Sequence, residues 1–204
     1  MPVLVNDSAL AAQIRSDRQK SDGAQHDEVW DGVYVMSPIA DMEHQWLVVE
    51  LVLAIRNVLD IARGDRIYAG LNVSNREDDW LQNYRVPDVA VVLKDNAAKA
   101  CGTHLCGGPE FLIEIASPND LAREKRPFYA KIGVRELLVV DRDPWALELY
   151  RLEEGDLPLA GRSTVEEPEP LTSVMLPLEF HLASGPDRPR IEFRRTDGTQ
   201  VWSI

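Results

Sequence analysis

The sequence predicts an α/β layered domain, on three observations. Residues 37–64 repeat apolar side chains at helical spacing, four runs rich in Val, Ile and Leu follow, and a short helical segment separates the last two runs. The resulting order of helix, strand, strand, strand, helix, strand is that of a sheet covered by helices.

In chain order, SALAAQIRSDRQ (8–19) reads as a short amphipathic helix capped by Ser8 or Asp7. DEVWDGVYVM (27–36) reads as a hairpin, because Asp31-Gly32 suits a type I′ turn whose central residues both need positive φ. Over 37–64, His44, Leu47, Val48, Leu51, Ile55 and Val58 fall at i, i+3, i+4, i+7, i+11 and i+14, a single helical stripe that Gly64 would close. RIYAGLNVSN (66–75), YRVPDVAVVL (84–93), EFLIEIAS (110–117) and RELLVVDR (135–142) are expected strands. The last three are nearly continuous apolar runs, as in strands covered on both faces. REKRPFYAKIG (123–133) is a short helix ending at Gly133, and ALELYRLE (146–153) would pair onto the sheet. The acidic, Pro-broken stretch 155–170 reads as a loop, and 190–204 as a final hairpin turning at Asp197-Gly198. No repeat or boundary interrupts the chain, so one domain over 1–204 is expected.

With 204 residues, 45% of them hydrophobic, the chain can bury a full core. No run of about 18 apolar residues occurs, so no membrane span is expected. The N-terminus lacks a basic segment followed by an apolar one, and two cysteines make no disulfide framework, so the expected compartment is the cytoplasm. The net charge of −12 counts against tight non-specific binding of nucleic acid, while leaving a local basic patch open.

Two acids stand where apolar residues are expected. Asp88 follows Pro87 at the entry to the run VAVV, and Glu114 lies inside the next strand. If those strands are neighbours, both carboxylates project from one edge of the sheet and suit Mg²⁺, which takes one or two carboxylates and keeps several waters. Taken singly, Pro-Asp is ordinary turn chemistry and a strand Glu can pair with an Arg. His44 is either a hydrogen-bonded core residue or faces the site. Glu28 touches the metal or pairs with an Arg, and Glu50 lies on the other helix face. The cluster Cys101, His104 and Cys106 fits no common zinc spacing and reads as a Gly-rich loop. Nucleotide-binding glycine motifs and Gly-x-Ser-x-Gly are absent.

The motifs Pro87-Asp88, Glu114-Ile115-Ala116-Ser117-Pro118-Asn119, Lys125 to Tyr129, and Gly133-Val134-Arg135-Glu136 through Asp141 stand in one consistent order. With DEVWDGVYVMSP and His44 upstream, residues 27–182 resemble the Uma-type (Uma-two) family of restriction-endonuclease-like proteins, in the PD-(D/E)XK nuclease superfamily. The resemblance implies a mixed central sheet flanked by helices, with extra N- and C-terminal hairpins. It also implies Mg²⁺- or Mn²⁺-dependent cleavage of phosphodiester bonds in DNA, with Asp88 and Glu114 as metal ligands. Many superfamily members carry a lysine two residues after the Glu, where this chain has Ala116. The Uma-type variant places it on the following helix, which points to Lys125. Lys125, Phe128, Tyr129 and Ile132 share one helical face. Pro127 is tolerated only in a first helical turn, so this helix should begin near Arg123 or Glu124. Lys131 is the fallback for the basic role, and Tyr129 joins His44 and Glu28 as secondary candidates. By analogy a homodimer is expected. The alternative is a module that keeps the fold without the chemistry and serves binding or assembly.

Overall fold

In the computed structural model, which describes residues 2–20, 26–117 and 120–204, the chain begins with strand β1 (Val3–Val5) and helix α1 (Ser8–Lys20). Asp7 caps α1, its Oδ1 accepting from the amides of Ala9 and Leu10, both at 2.9 Å. The hairpin β2 (Glu28–Trp30) and β3 (Val33–Met36) turns at Asp31 and Gly32 with φ of 47° and 89°, the left-handed pair a type I′ turn requires.

Helix α2 (Met42–Arg56) is shorter than the apolar stripe suggests. Residues 57–64 are turns, although Val58 and Leu59 still reach the core. Local side chains compete for the backbone there: Asp60 Oδ1 accepts from the Arg63 amide at 3.0 Å, and Asp65 Oδ2 accepts from the Asp60 amide at 2.9 Å.

The two strands expected next each divide: β4 (Arg66–Ala69) and β5 (Val73–Ser74), then β6 (Tyr84–Arg85) and β7 (Val89–Val92). The breaks fall at Gly70, with φ of 68°, and at Pro87, which has no amide for a sheet ladder. After β8 (Lys99–Ala100) and β9 (Leu105–Cys106) come β10 (Phe111–Ala116), a 3₁₀ turn (Arg123–Lys125) and α3 (Arg126–Ile132). Gly133 ends α3 in the left-handed conformation, at φ 86°. Strands β11 (Glu136–Arg142) and β12 (Trp145–Arg151) follow. Within the expected loop of 155–170 lies β13 (Leu159–Ser163), whose sequence Leu-Ala-Gly-Arg-Ser has too little apolar alternation to announce a strand. The last strands are β14 (Leu171–Thr172), β15 (Leu178–Ala183), β16 (Arg190–Arg195) and β17 (Val201–Ser203). The expected C-terminal hairpin is present as β16–β17, but it is half of a four-stranded sheet.

Three sheets result. The central one runs β13-β12-β11-β10-β7-β4 and is mixed, with β10 and β11 parallel and the remaining pairs antiparallel. The second runs β1-β3-β2-β6-β5-β9-β8 and the third β14-β15-β16-β17. Alternation along β10 decides what each face of the central sheet meets. Phe111, Ile113 and Ile115 pack with Leu47, Leu51 and Ile55 of α2 and with Phe180 and Phe193 of the third sheet. Leu112 and Ala116 point the other way, towards Phe128 and Tyr129 of α3 and Val73 and Leu105 of the second sheet. Glu114 has the parity of Leu112 and Ala116, so it faces α3. No helix among the described residues is long and apolar enough to cross a membrane.

On the α3 face of the sheet, two strands from Glu114, Arg123 Nε donates to Glu148 Oε2 at 2.8 Å and the Tyr150 hydroxyl donates to the same oxygen at 2.7 Å. Burial alone would raise the Glu148 carboxyl, but these hydrogen bonds outweigh it and hold the group below its usual range. A depressed carboxyl contributes stability above its ordinary range and loses it as the pH falls through the depressed value. Glu148→Gln is therefore expected to cost about 1 kcal/mol at pH 7. The difference should close below about pH 4, as read by urea denaturation across pH.

Candidate functional site

Glu114 is a carboxylate in the middle of a strand whose six residues are all buried. Strand β10 pairs antiparallel with β7, Ile113 opposite Val89, and one further step in that register sets Asp88 opposite Glu114. The two acids that stand out in the sequence therefore meet at the end of the β7–β10 pair. Asp88 Oδ2 accepts from the Ile115 amide at 2.7 Å, and His44 Nε2, from the first turn of α2, lies 2.9 Å from Asp88 Oδ1.

Lys125 reaches back to this point. It sits in the 3₁₀ turn ahead of α3, so that Pro127 occupies the first turn of the helix, where a missing amide costs nothing. Its Nζ donates to Glu114 Oε1 and Oε2 at 3.1 and 3.0 Å and lies 2.8 Å from Glu28 Oε1. One turn on, the Tyr129 hydroxyl donates to Glu114 Oε1. Glu28, on β2 of the second sheet, also accepts from the Val86 amide at 2.8 Å and from Trp30 Nε1 at 2.5 Å. Behind the cluster the buried Arg85 guanidinium lies between the rings of Trp30 and Phe128, 4.5 and 4.2 Å from their centroids.

Glu28, His44, Asp88, Glu114 and Lys125 line a cleft of about 600 Å³ together with Asp120, while Tyr129 and Arg85 stand behind its wall. Burial pushes the Glu114 carboxyl up to about 8, with Asp88 and Glu28 adding repulsion against the opposing pull of Lys125 and Tyr129. Burial would lower the Lys125 ammonium, but the Glu114 and Glu28 carboxylates win and hold it above the usual lysine range. His44 is likewise raised, its Asp88 partner outweighing desolvation. Burial raises the Asp120 carboxyl.

The structure gathers Asp88, Glu114, Lys125, His44, Glu28 and Tyr129 in one place. Glu50 and Lys131 do not line the cleft, and Lys131 is exposed. The His104 ring stacks on Trp80 at 4.7 Å between centroids, with Nε2 3.0 Å from the Arg76 carbonyl oxygen. Among the described residues no group of three or more His, Cys, Asp or Glu side chains is arranged to hold a metal ion, at this loop or in the cleft. Pro118 and Asn119, the end of the Glu114 motif, lie outside the described residues. Sequence reasoning missed Trp30, Asp120 and Arg85. Of these only Arg85 left a signal, a cation inside an apolar strand run.

A family model described as "Putative restriction endonuclease", Uma2, matches residues 17–184. The chain belongs to this family. No curated protein matches. Among solved structures, the chain is similar to a "putative nuclease" from Anabaena variabilis, with a TM-score of 0.56 and 20% identity over 72% of this chain and 80% of that one. At that identity the likeness speaks for the fold, which is restriction-endonuclease-like, as the motif order implied.

Because one ammonium serves two buried carboxylates in this Uma2-family cleft, Lys125→Met is expected to destabilise the metal-free protein by about 3–5 kcal/mol. Adding Glu28→Gln should restore part of that loss, since it removes one of the stranded charges. Urea denaturation in EDTA of wild type, both single variants and the double variant measures the coupling.

Proposed function

We propose that this Uma2-family protein is a nuclease that hydrolyses phosphodiester bonds of DNA with a divalent cation, Mg²⁺ or Mn²⁺, held by Asp88 and Glu114. The observation that carries the reading is the contact of Lys125 Nζ with Glu114 in a cleft that also holds Asp88. The donor set fits such an ion. The hard carboxylates of Asp88 and Glu114 enter one cleft from neighbouring strands, and Glu28, Asp88, Glu114 and Asp120 outnumber the cations Lys125 and Arg85. Two protein carboxylates with water completing the shell is the pattern Mg²⁺ accepts.

When bound, the ion would polarise a phosphoryl oxygen and lower the pKa of a water molecule. The protein's own groups do the rest. His44 and the Ile115 amide fix the two oxygens of Asp88, while Tyr129 and Lys125 orient Glu114. Lys125, kept charged by its carboxylates, supplies a positive charge beside the place where negative charge develops on the phosphate. Glu28 holds that ammonium from the opposite side. By analogy with endonucleases of this fold that pair to cut both strands of a duplex, the reading includes a homodimer.

A second reading, a binding or assembly module without catalysis, is favoured by a specific observation. Both carboxylate oxygens of Glu28, Asp88 and Glu114 already have protein partners. Supercoiled and linear DNA incubated with protein and Mg²⁺ or Mn²⁺ separates the two. Wild type should nick and linearise the DNA, and Asp88→Ala and Lys125→Met should slow this by about 100-fold or more. Identical product patterns from wild type and Asp88→Ala would sink the nuclease reading. Mn²⁺ uptake abolished by Glu114→Ala would count against the module.

A further inference from the structure

Asp88 is held by one donor from each of two elements: His44 Nε2 of α2 at 2.9 Å, and the Ile115 amide of β10 at 2.7 Å. Its placement therefore depends on where the first turn of α2 sits against the end of β10. Arg142 ties those two elements together. It lies at the end of β11, which runs parallel to β10 with Asp141 beside Ala116, and this brings Arg142 next to Ser117, the residue that follows β10. Its Nη1 and Nη2 donate to Asp41 Oδ1 and Oδ2 at 3.0 and 3.1 Å, a two-pronged grip that a lysine has no geometry to copy. Nη1 also donates to Glu43 Oε2 at 3.0 Å, and Nη2 to Ser117 Oγ at 2.6 Å. Asp41 is the cap of α2 and accepts from the His44 amide at 2.7 Å. An unbroken path thus runs from Arg142 through Asp41 and His44 to Asp88, and Arg142 also grips the strand exit on the other side.

A surface ion pair with Asp41 and Glu43 would contribute little, because both acids are exposed. Arg142 is not such a pair: its side chain is only 7% exposed, and it serves three partners on two elements. We propose that Arg142 is a positioning residue that sets the Asp88 carboxylate through Asp41 and His44 and so controls the grip of the cleft on a divalent cation. This rests on the metal reading above.

The test is calorimetric titration with Mn²⁺ of wild type, Arg142→Gln, Arg142→Lys, His44→Gln and the double variant Arg142→Gln/His44→Gln, beside thermal unfolding of each in EDTA. Arg142→Gln should weaken Mn²⁺ binding about tenfold, the scale of lost support behind a metal ligand, and Arg142→Lys should recover only part of it. The double variant should bind no more weakly than His44→Gln alone, because both losses act on one path. A merely structural role would lower the melting temperature and leave the Mn²⁺ affinity, measured well below it, unchanged; that result overturns the proposal while the metal reading stands. Strictly additive losses in the double variant overturn the path through His44. Absence of Mn²⁺ binding by wild type overturns the metal reading and this inference with it. Should Arg142→Gln fail to fold, Arg142→Lys and Asp41→Asn carry the same comparisons.

Discussion

An ionised or ionisable carboxylate enclosed in a strand must be met by protein donors, and the burial of Glu114 organises the layers around it. Every other residue of β10 is apolar, and both faces of the strand are covered, so the hydrophobic gain of packing it is large. Left unpaired, Glu114 would cancel several kcal/mol of that gain. Lys125 and Tyr129 meet it, and to do so α3 must dock with its leading turn over the end of the central sheet. The ammonium in turn draws Glu28, and with it the β2–β3 hairpin of the second sheet, onto the same spot. The packing of α3 and of the second sheet therefore shares one electrostatic requirement with the cleft.

That requirement is not explained by stability. Replacing a buried ionic cluster with apolar side chains of equal volume is commonly neutral or favourable. The fold could bury Leu or Val at position 114, as it does at 112 and 139 on the same face of the sheet. The cluster instead concentrates more carboxylate than it neutralises, and it does so where a cleft opens rather than in the closed core between α2 and the third sheet. Groups held away from their ordinary protonation behaviour by burial and like charge cluster at sites of chemistry.

What the sequence disclosed follows the range of the interactions involved. Asp88 and Glu114 stood out because an acid in an apolar run breaks a local pattern, and the type I′ turn at Asp31-Gly32 and the Gly133 stop are local as well. The shared face of Lys125 and Tyr129 followed from helical period, whereas the pairing of the strands that carry the acids stood as a condition that the sheet order meets. Pro127 puts Lys125 at the start of its helical segment, where local bonds order a side chain least. In the structure its contacts with two buried carboxylates order it, and those contacts are long-range. Long-range bonds also explain the rest. Arg142 lies about a hundred residues from Asp41 in sequence, with no periodicity to connect them. The splitting of 66–75 and 84–93 depends on which sheet each half joins, and the early end of α2 on side chains that compete for the backbone just beyond it.

The same charge distribution bears on how an acidic protein would meet a polyanion. The chain carries a net charge of −12, and its cleft presents Glu28, Asp88, Glu114 and Asp120 against Lys125, with Arg85 behind. A phosphodiester approaching that surface without a cation meets repulsion at long range and again at close range. On the proposed reading, Asp88 and Glu114 would hold a divalent ion whose charge offsets the excess of acid beside the place where the scissile phosphate would sit. It would also relieve the repulsion that Asp88 and Glu28 exert on Glu114. Cation and substrate would then bind cooperatively through charge alone, with no change of shape required. On the same reading, the excess of acid, which counts against nucleic acid as a partner for the chain as a whole, would become at the cleft a means of making DNA binding conditional on the metal.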